Sequence, residues 1–289
     1  MHLTFLLAFI TFIGWGTGDL FTIFAVRKIG TKLTVIWIFI FSFLLSLIAL
    51  PFSPHNFAAV TFPLLCLNIF LGVLFVTGNI MVTEAFRISS APLIGVIIPS
   101  FPAAVLVLSS LLYHDKITPV QILCIIIVLI GVTLCCINFE LLKRSRKIFD
   151  RGTLLALVAI TFFSIFFILS RILINSYDWF LPTFFATACF PIAFFIFVQG
   201  KEKFILPKNQ QVIFAMFMVA LLIGAGDFAF NYGLSLPNAS GIVTPIANSA
   251  PILFVVSSYL IFKDKLTKQQ IAGIGITLCG LVLLALFGQ

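Results

Sequence analysis

The sequence predicts an all-α integral membrane protein whose ten transmembrane helices form two inverted five-helix repeats. Three observations carry this expectation. Hydrophobic residues make up 62% of the 289 positions and charged residues only 9%, against about a quarter charged in soluble domains, so a water-facing surface cannot be covered. Apolar runs of about twenty residues, the length needed to cross the hydrocarbon core, recur along the whole chain. One polar stretch also appears twice, as YHDKIT at 113–118 and FKDKLT at 262–267, each time between two such runs.

Taken in order, the first span covers 3–25. It lacks the basic leader of a signal peptide and reads as a retained helix. Spans two to five cover 33–50, 62–85, 92–112 and 119–137. They are separated by PFSPHN, RISSAP and YHDKITP, which mix turn formers with polar residues. The longest interruption, NFELLKRSRKIFDRG, divides the chain into a first repeat (1–137), a basic connection (138–151) and a second repeat (152–289). Spans six to ten cover 152–174, 179–198, 211–234, 241–262 and 269–287, with NSYDW, SLPNAS and FKDKLTK among their breakers.

The net charge of +8 does not point to nucleic acid. Of 17 basic residues, 15 fall in the connections after spans one, three, five, seven and nine, leaving Lys116 and Arg171. Lysine and arginine enrichment marks cytoplasmic loops, so this bias puts both termini outside, and the expected location is a bacterial inner (plasma) membrane. The three histidines are far apart and the six cysteines include no CxxC pair, so no metal site, structural disulfide or cofactor is expected.

Superimposing 92–137 on 241–286, an offset of 149, gives 16 identities in 46 positions. Ser100, Pro102, Ser109, Asp115, Lys116, Thr118, Gln121 and Gly131 recur as Ser249, Pro251, Ser258, Asp264, Lys265, Thr267, Gln270 and Gly280. A one-residue shift earlier aligns Gly78–Asn79 with Gly226–Asp227. Because the unit has five spans, its second copy crosses in the opposite sense, the architecture that lets a central site open to either face. Asp115 and Asp264 are expected to help cap the helix that follows each knot.

Ten spans in two halves, GWGTGD in span one, EAFRISSAP at the third junction and the DKIT…Q…G hairpin ending each half resemble the drug/metabolite transporter superfamily, specifically its EamA-type branch. The resemblance covers essentially the whole chain. It implies transport of a small metabolite, with export of an amino-acid-like compound as the branch-level expectation. The chain departs from the family pattern in carrying aspartate where such hairpins often have glutamate.

Four charged residues fall inside the spans, namely Asp19, Glu84, Arg171 and Asp227. A charge in hydrocarbon costs several kcal/mol unless it faces protein or water, which makes each a candidate. Asp227, in GAGDFAFNYG, has Gly224 and Gly226 beside it, Asn231 one turn on and Tyr232 as a possible aromatic wall. It is the first choice for a substrate-amine contact or proton site. Asp19 follows GWGTG, with Trp15 one turn back. Glu84 and Arg87 are spaced as an interfacial pair, and Arg171 sits near a span end where it can snorkel.

Prolines break GVIIPSFPAA in span four and GIVTPIANSAPILF in span nine. Interrupted helices in matching halves point to a midplane site, and Asn248 is the candidate there. Asn79, the counterpart of Asp227, is a weaker one.

The expected function is therefore secondary-active or facilitative transport of a small polar metabolite by alternating access. No Walker loop is present, so gradients would supply the energy, protons among them, and ten spans suffice for a monomer. A translocase of a lipid or lipid-linked sugar is the alternative. An intramembrane aspartyl enzyme is the remote one, since GTGD at 16–19 and GAGD at 224–227 both match a GxGD pattern.

Overall fold

The computed structural model describes residues 2–113, 118–136, 150–198, 207–236, 243, 246–247, 249–264 and 266–287. Among these, all regular structure is helical. The first repeat comprises α1 (His2–Ile29), α2 (Thr31–Ala49), α3 (Phe62–Ile88), α4 (Ala91–Ile97), α5 (Phe101–Tyr113) and α6 (Pro119–Cys136). The second comprises α7 (Arg151–Ser176), α8 (Leu181–Ala188), α9 (Phe190–Val198), α10 (Gln210–Ser235), α11 (Ala250–Phe262) and α12 (Lys268–Phe287). α4 with α5 forms span four and α8 with α9 forms span seven, which yields the ten spans. α1, α3, α7, α10 and the segment Thr31–Phe52 are each long and apolar enough to cross a bilayer unaided.

Proline accounts for both breaks. Lacking an N–H and crowding the carbonyl four residues back, Pro99 lies in a short 3-10 turn, Ile98–Ser100, between α4 and α5. Span seven, expected as one helix, breaks at Cys189, two residues before Pro191. α1 and α2 are joined by Gly30 alone, whose φ of 78° an L side chain rarely adopts.

The packing obeys a pseudo-two-fold. α1 lies against α10 as α3 lies against α7, while α6 pairs with α12 and α4 with α11. Glycines set these contacts. A Cβ at Gly131 of α6 would stand 2.5 Å from the Thr277 nitrogen, and one at Gly280 of α12 would stand 2.9 Å from the Val128 nitrogen. Thr277 and Val128 are themselves 149 apart, so each helix offers its glycine to the same point on its twin. Likewise, a Cβ at Gly226 would meet Trp15 at 2.9 Å and one at Gly78 would meet Phe163 at 2.9 Å, with Trp15 and Phe163 related by 148. In lipid, where burial supplies no hydrophobic drive between helices, such close backbone approach is what holds them together. The outer surface is apolar, with Ile48, Leu111 and Leu260 among its exposed side chains.

The repeated polar knot has a different internal logic from the one expected. Thr267 N–H donates to Gln270 Oε1 at 3.0 Å and Gln270 N–H to Thr267 Oγ1 at 3.2 Å. The first repeat has the same reciprocal box, Thr118 to Gln121 at 2.7 Å and back at 3.2 Å. Threonine and glutamine therefore cap α6 and α12, which frees Asp264 for a longer reach. It accepts from Arg27 Nη2 of α1 and from Ala91 N–H at the start of α4, both at 2.8 Å. Asp115 lies outside the described residues.

Replacing Gly131 with valine should lower stability by about 1–3 kcal/mol through overpacking of the α6–α12 crossing. Gly275→Ala, on a face with nothing within 4 Å of the new methyl, should stay within about 0.5 kcal/mol of wild type. Thermal unfolding of the purified protein in detergent checks both.

Candidate functional site

A cavity of about 240 Å³ lies between the repeats, walled by α1, α2 and α3 from the first and by α8 and α10 from the second. α2 contributes one face at helical spacing, through Val35, Phe39, Ser42, Ser46 and Ala49. α3 contributes Phe75, Asn79 and Thr83, again one turn apart. Asp19 and Thr22 enter from α1, Thr183 and Thr187 from α8, and Asp227 and Phe228 from α10. Among the described lining residues there is no lysine, arginine or histidine.

The two aspartates are held differently. α1 and α10 approach closely because a side chain at Gly14 would collide with the Leu222 carbonyl and stand 3.2 Å from Gly226 Cα. That closeness lets Trp15 Nε1–H donate to Asp227 Oδ1 at 2.8 Å across the helix pair. The Thr11 hydroxyl reaches both its own Leu7 carbonyl, at 3.0 Å, and the Gly226 carbonyl, at 3.2 Å. Asp19 stands three residues before Thr22 on α1, and both border the cavity that Asp227 also lines. Neither carboxylate has a cationic partner among the described residues, so the cavity has a strongly anionic character when both are ionised.

The remaining candidates divide. Asn79 lines the cavity and donates to the Phe75 carbonyl at 2.8 Å, while Thr83 donates to the Asn79 carbonyl at 2.7 Å. Asn231 lies in a smaller adjoining space of about 70 Å³ that also reaches Asp227, and it donates to Thr183 Oγ1 at 3.0 Å. Tyr232 does not line either space. It stacks on Trp179 at 5.1 Å in a cluster with Phe180, Phe184 and Phe228 that stands between the cavity and the face carrying the α7–α8 connection. Asn248 lies outside the described residues, as does the side chain of Arg171.

Six hydroxyls, from Thr22, Ser42, Ser46, Thr83, Thr183 and Thr187, were not singled out by sequence reasoning. The usable signal was the seven-residue rhythm of α2, whose serines share one face with Val35 and Phe39. Ser46 and Thr187 meet across α2 and α8 at 3.2 Å.

Toward the opposite, lysine- and arginine-bearing face, a polar clasp begins one turn beyond Val35 and directly after Thr83. Thr31 donates to Glu84, and Arg87 Nε donates to Glu84 Oε2 at 2.8 Å, the pair expected from their spacing. Alongside, Arg27 holds Asp264 and packs 4.8 Å from the centroid of Phe262.

Comparison with known proteins supplies the wider context. The EamA-like transporter family matches residues 2–137 and 150–286. An uncharacterized protein of Methanocaldococcus jannaschii is 31% identical over 86 residues, 30% of this chain, and the aligned stretch spans 62% of that protein's length. A solved crystal structure superimposes with a TM-score of 0.67 over 98% of this chain and 97% of its own, at 13% identity, a likeness of fold alone.

Asp227→Asn keeps an oxygen to accept from Trp15, whereas Asp227→Leu leaves that indole N–H unpaired. Leucine should therefore cost about 1–3 kcal/mol more than asparagine, measured by thermal unfolding in detergent.

Proposed function

This chain belongs to the EamA-like transporter family, and from that premise we propose that it exports a small amino-acid-like metabolite by alternating access through the cavity between its repeats. The observation that carries this reading is the convergence of Asp19, Asp227, Asn79 and six hydroxyls on one space shared by both halves. The carboxylates would take the amine of the solute, and the hydroxyls its carboxylate and other polar groups. A proton would neutralise the aspartates on the return leg, since an ionised, unpaired carboxylate is costly within the membrane. Collapse of the proton gradient with an uncoupler separates such exchange from facilitated diffusion.

The bias of lysine and arginine toward one face supports a cytoplasmic assignment for that face, with both termini outside, in a bacterial inner membrane. One cavity per chain is consistent with action as a monomer. In this orientation the aromatic cluster around Phe180 and Phe228 bars the outward path, and the Arg27–Asp264 and Glu84–Arg87 clasps bar the cytoplasmic one. Loading from the cytoplasm would require Asp264 to release both Arg27 and the start of α4.

The lipid translocase reading would need a side opening into the cavity. A groove on the outer surface between α1, α10 and α11 shares no lining residue with it. The two GxGD aspartates do border one space, which an aspartyl enzyme would also require. Product formation by the purified protein would favour that reading.

Untargeted metabolite profiling inside and outside expressing cells tests the transport proposal. At matched membrane levels, one amine-bearing class should be redistributed by wild type and at least about tenfold less by Asp227→Asn, the loss expected for a charge-assisted contact. Equal redistribution by both would return Asp227 to a packing role. Asp264→Ala should favour the state open to the cytoplasm. The rate at which a water-soluble thiol reagent labels Thr83→Cys from that side, in a background without other cysteines, should rise about fivefold or more.

A further inference from the structure

The groove between α1, α10 and α11 encloses about 650 Å³, more than the central cavity. Its wall is Phe21, Phe24, Phe214, Ile261 and Phe262 with little else, and the polar groups that line it, Gln210 and Gln211, sit at the first turn of α10. That turn marks the basic face, because α1 ends there with Arg27 and Lys28 and α11 ends there at Phe262. The groove is thus apolar along its length and polar at one end.

Three exposed lysines are chain neighbours or ring contacts of residues at that end. Lys28 Nζ lies 4.1 Å from the centroid of Phe24, itself part of the wall. Lys263 directly follows Phe262, and Lys208 precedes Gln210 by two residues. Among the described residues none of the three is ion-paired. Arg27, at the same end of α1, is engaged by Asp264. The amino terminus of the 26-residue α10, where Asn209 caps Gln211 N–H at 2.9 Å, adds positive potential.

An apolar trough ending in a helix amino terminus and in ammonium groups without an ion pair among the described residues matches one kind of ligand. We propose that this groove is a binding site for an anionic phospholipid, its acyl chain against Phe21 and Phe214 and its phosphate held by Lys28, Lys208 and Lys263. The lipid is a resident ligand and not cargo, because the groove and the cavity share no lining residue. Its headgroup lies beside Phe262, on which Arg27 packs while holding Asp264, so an occupied groove supports the closed clasp on that face. Diffuse attraction of a basic face for anionic lipid depends on charge number alone. A site depends on which charges are present.

That distinction sets the test. The protein is reconstituted in mixed phosphatidylcholine and phosphatidylglycerol membranes, and electron spin resonance of spin-labelled lipids gives the relative association constant of the two headgroups. Wild type should prefer phosphatidylglycerol at least threefold. The triple variant Lys28→Gln, Lys208→Gln, Lys263→Gln should fall to near unity. A charge-matched control, Arg144→Gln, Arg146→Gln, Lys147→Gln in the central connection, should keep the wild-type preference. Equal loss in both variants, or no preference in wild type, overturns the site. A Phe24→Trp variant adds a readout of the chain. Its added emission should be quenched by phosphatidylglycerol brominated on an acyl chain and be unaffected by glycerol 3-phosphate in the buffer. Displacement of the brominated lipid by glycerol 3-phosphate would mean a site for free phosphate and would also overturn the proposal.

Discussion

The close approach of α1 and α10 is the constraint on which the rest of the site depends. With Gly14 beneath the Leu222 carbonyl and Gly226 beneath the Trp15 ring, the two backbones come near enough for the Trp15 indole to reach the Asp227 carboxylate. A methyl at Gly14 would push the helices apart and one at Gly226 would displace the Trp15 ring, and either change separates donor from acceptor. Glycine is costly within a helix in water. In lipid it is the residue that creates the contact, and here the same thin seam also admits a carboxylate to the protein interior.

Symmetry and chemistry part company at that seam. The twin crossing of α3 on α7 repeats the geometry, with Gly78 beneath Phe163 as Gly226 lies beneath Trp15. It does not repeat the charges. Asn79 stands where the second repeat has Asp227, and it satisfies its amide on its own helix. The scaffold thus retains its two-fold, while the two carboxylates, Asp19 and Asp227, stand on the α1–α10 side of the axis. The knots diverge less. Both keep the threonine–glutamine cap, because every helix that starts at the headgroups must satisfy its first amides.

Much of this was legible in the sequence, for reasons that differ residue by residue. Span count and repeat follow from apolar length and from matched prolines and glycines, which tolerate no substitute. Trp15 and Asp227 stood out because glycine flanked both, and aspartate in hydrocarbon is conspicuous. The α2 serines were hidden. A serine in a membrane helix commonly bonds its own carbonyl four residues back, as Ser46 does to Ser42 at 2.8 Å, so its presence alone says nothing about a cavity. The break at Cys189 was missed because an apolar run with one proline reads the same whether bent or straight. Asp264 was assigned to the wrong helix for a related reason: capping signals are local, and its partners lie 237 and 173 residues away.

The arrangement of polar groups also bears on why the cavity cannot simply stay as it is. Each ionised carboxylate accepts up to about four hydrogen bonds, yet the side-chain donor to Asp227 is Trp15, and Asp19 shares the same cavity. Their mutual repulsion adds to the unmet demand. A proton, an amine or water must supply the remainder, and an amine does so while also cancelling charge. The same deficit that would draw a cationic group into the cavity makes the emptied, ionised cavity the costly state, so release is favoured only where bulk water or a proton can take the amine's place. A cycle built on these residues therefore needs both faces to open in turn, and the aromatic cluster on one side and the aspartate clasp on the other are the two barriers such a cycle would lift alternately.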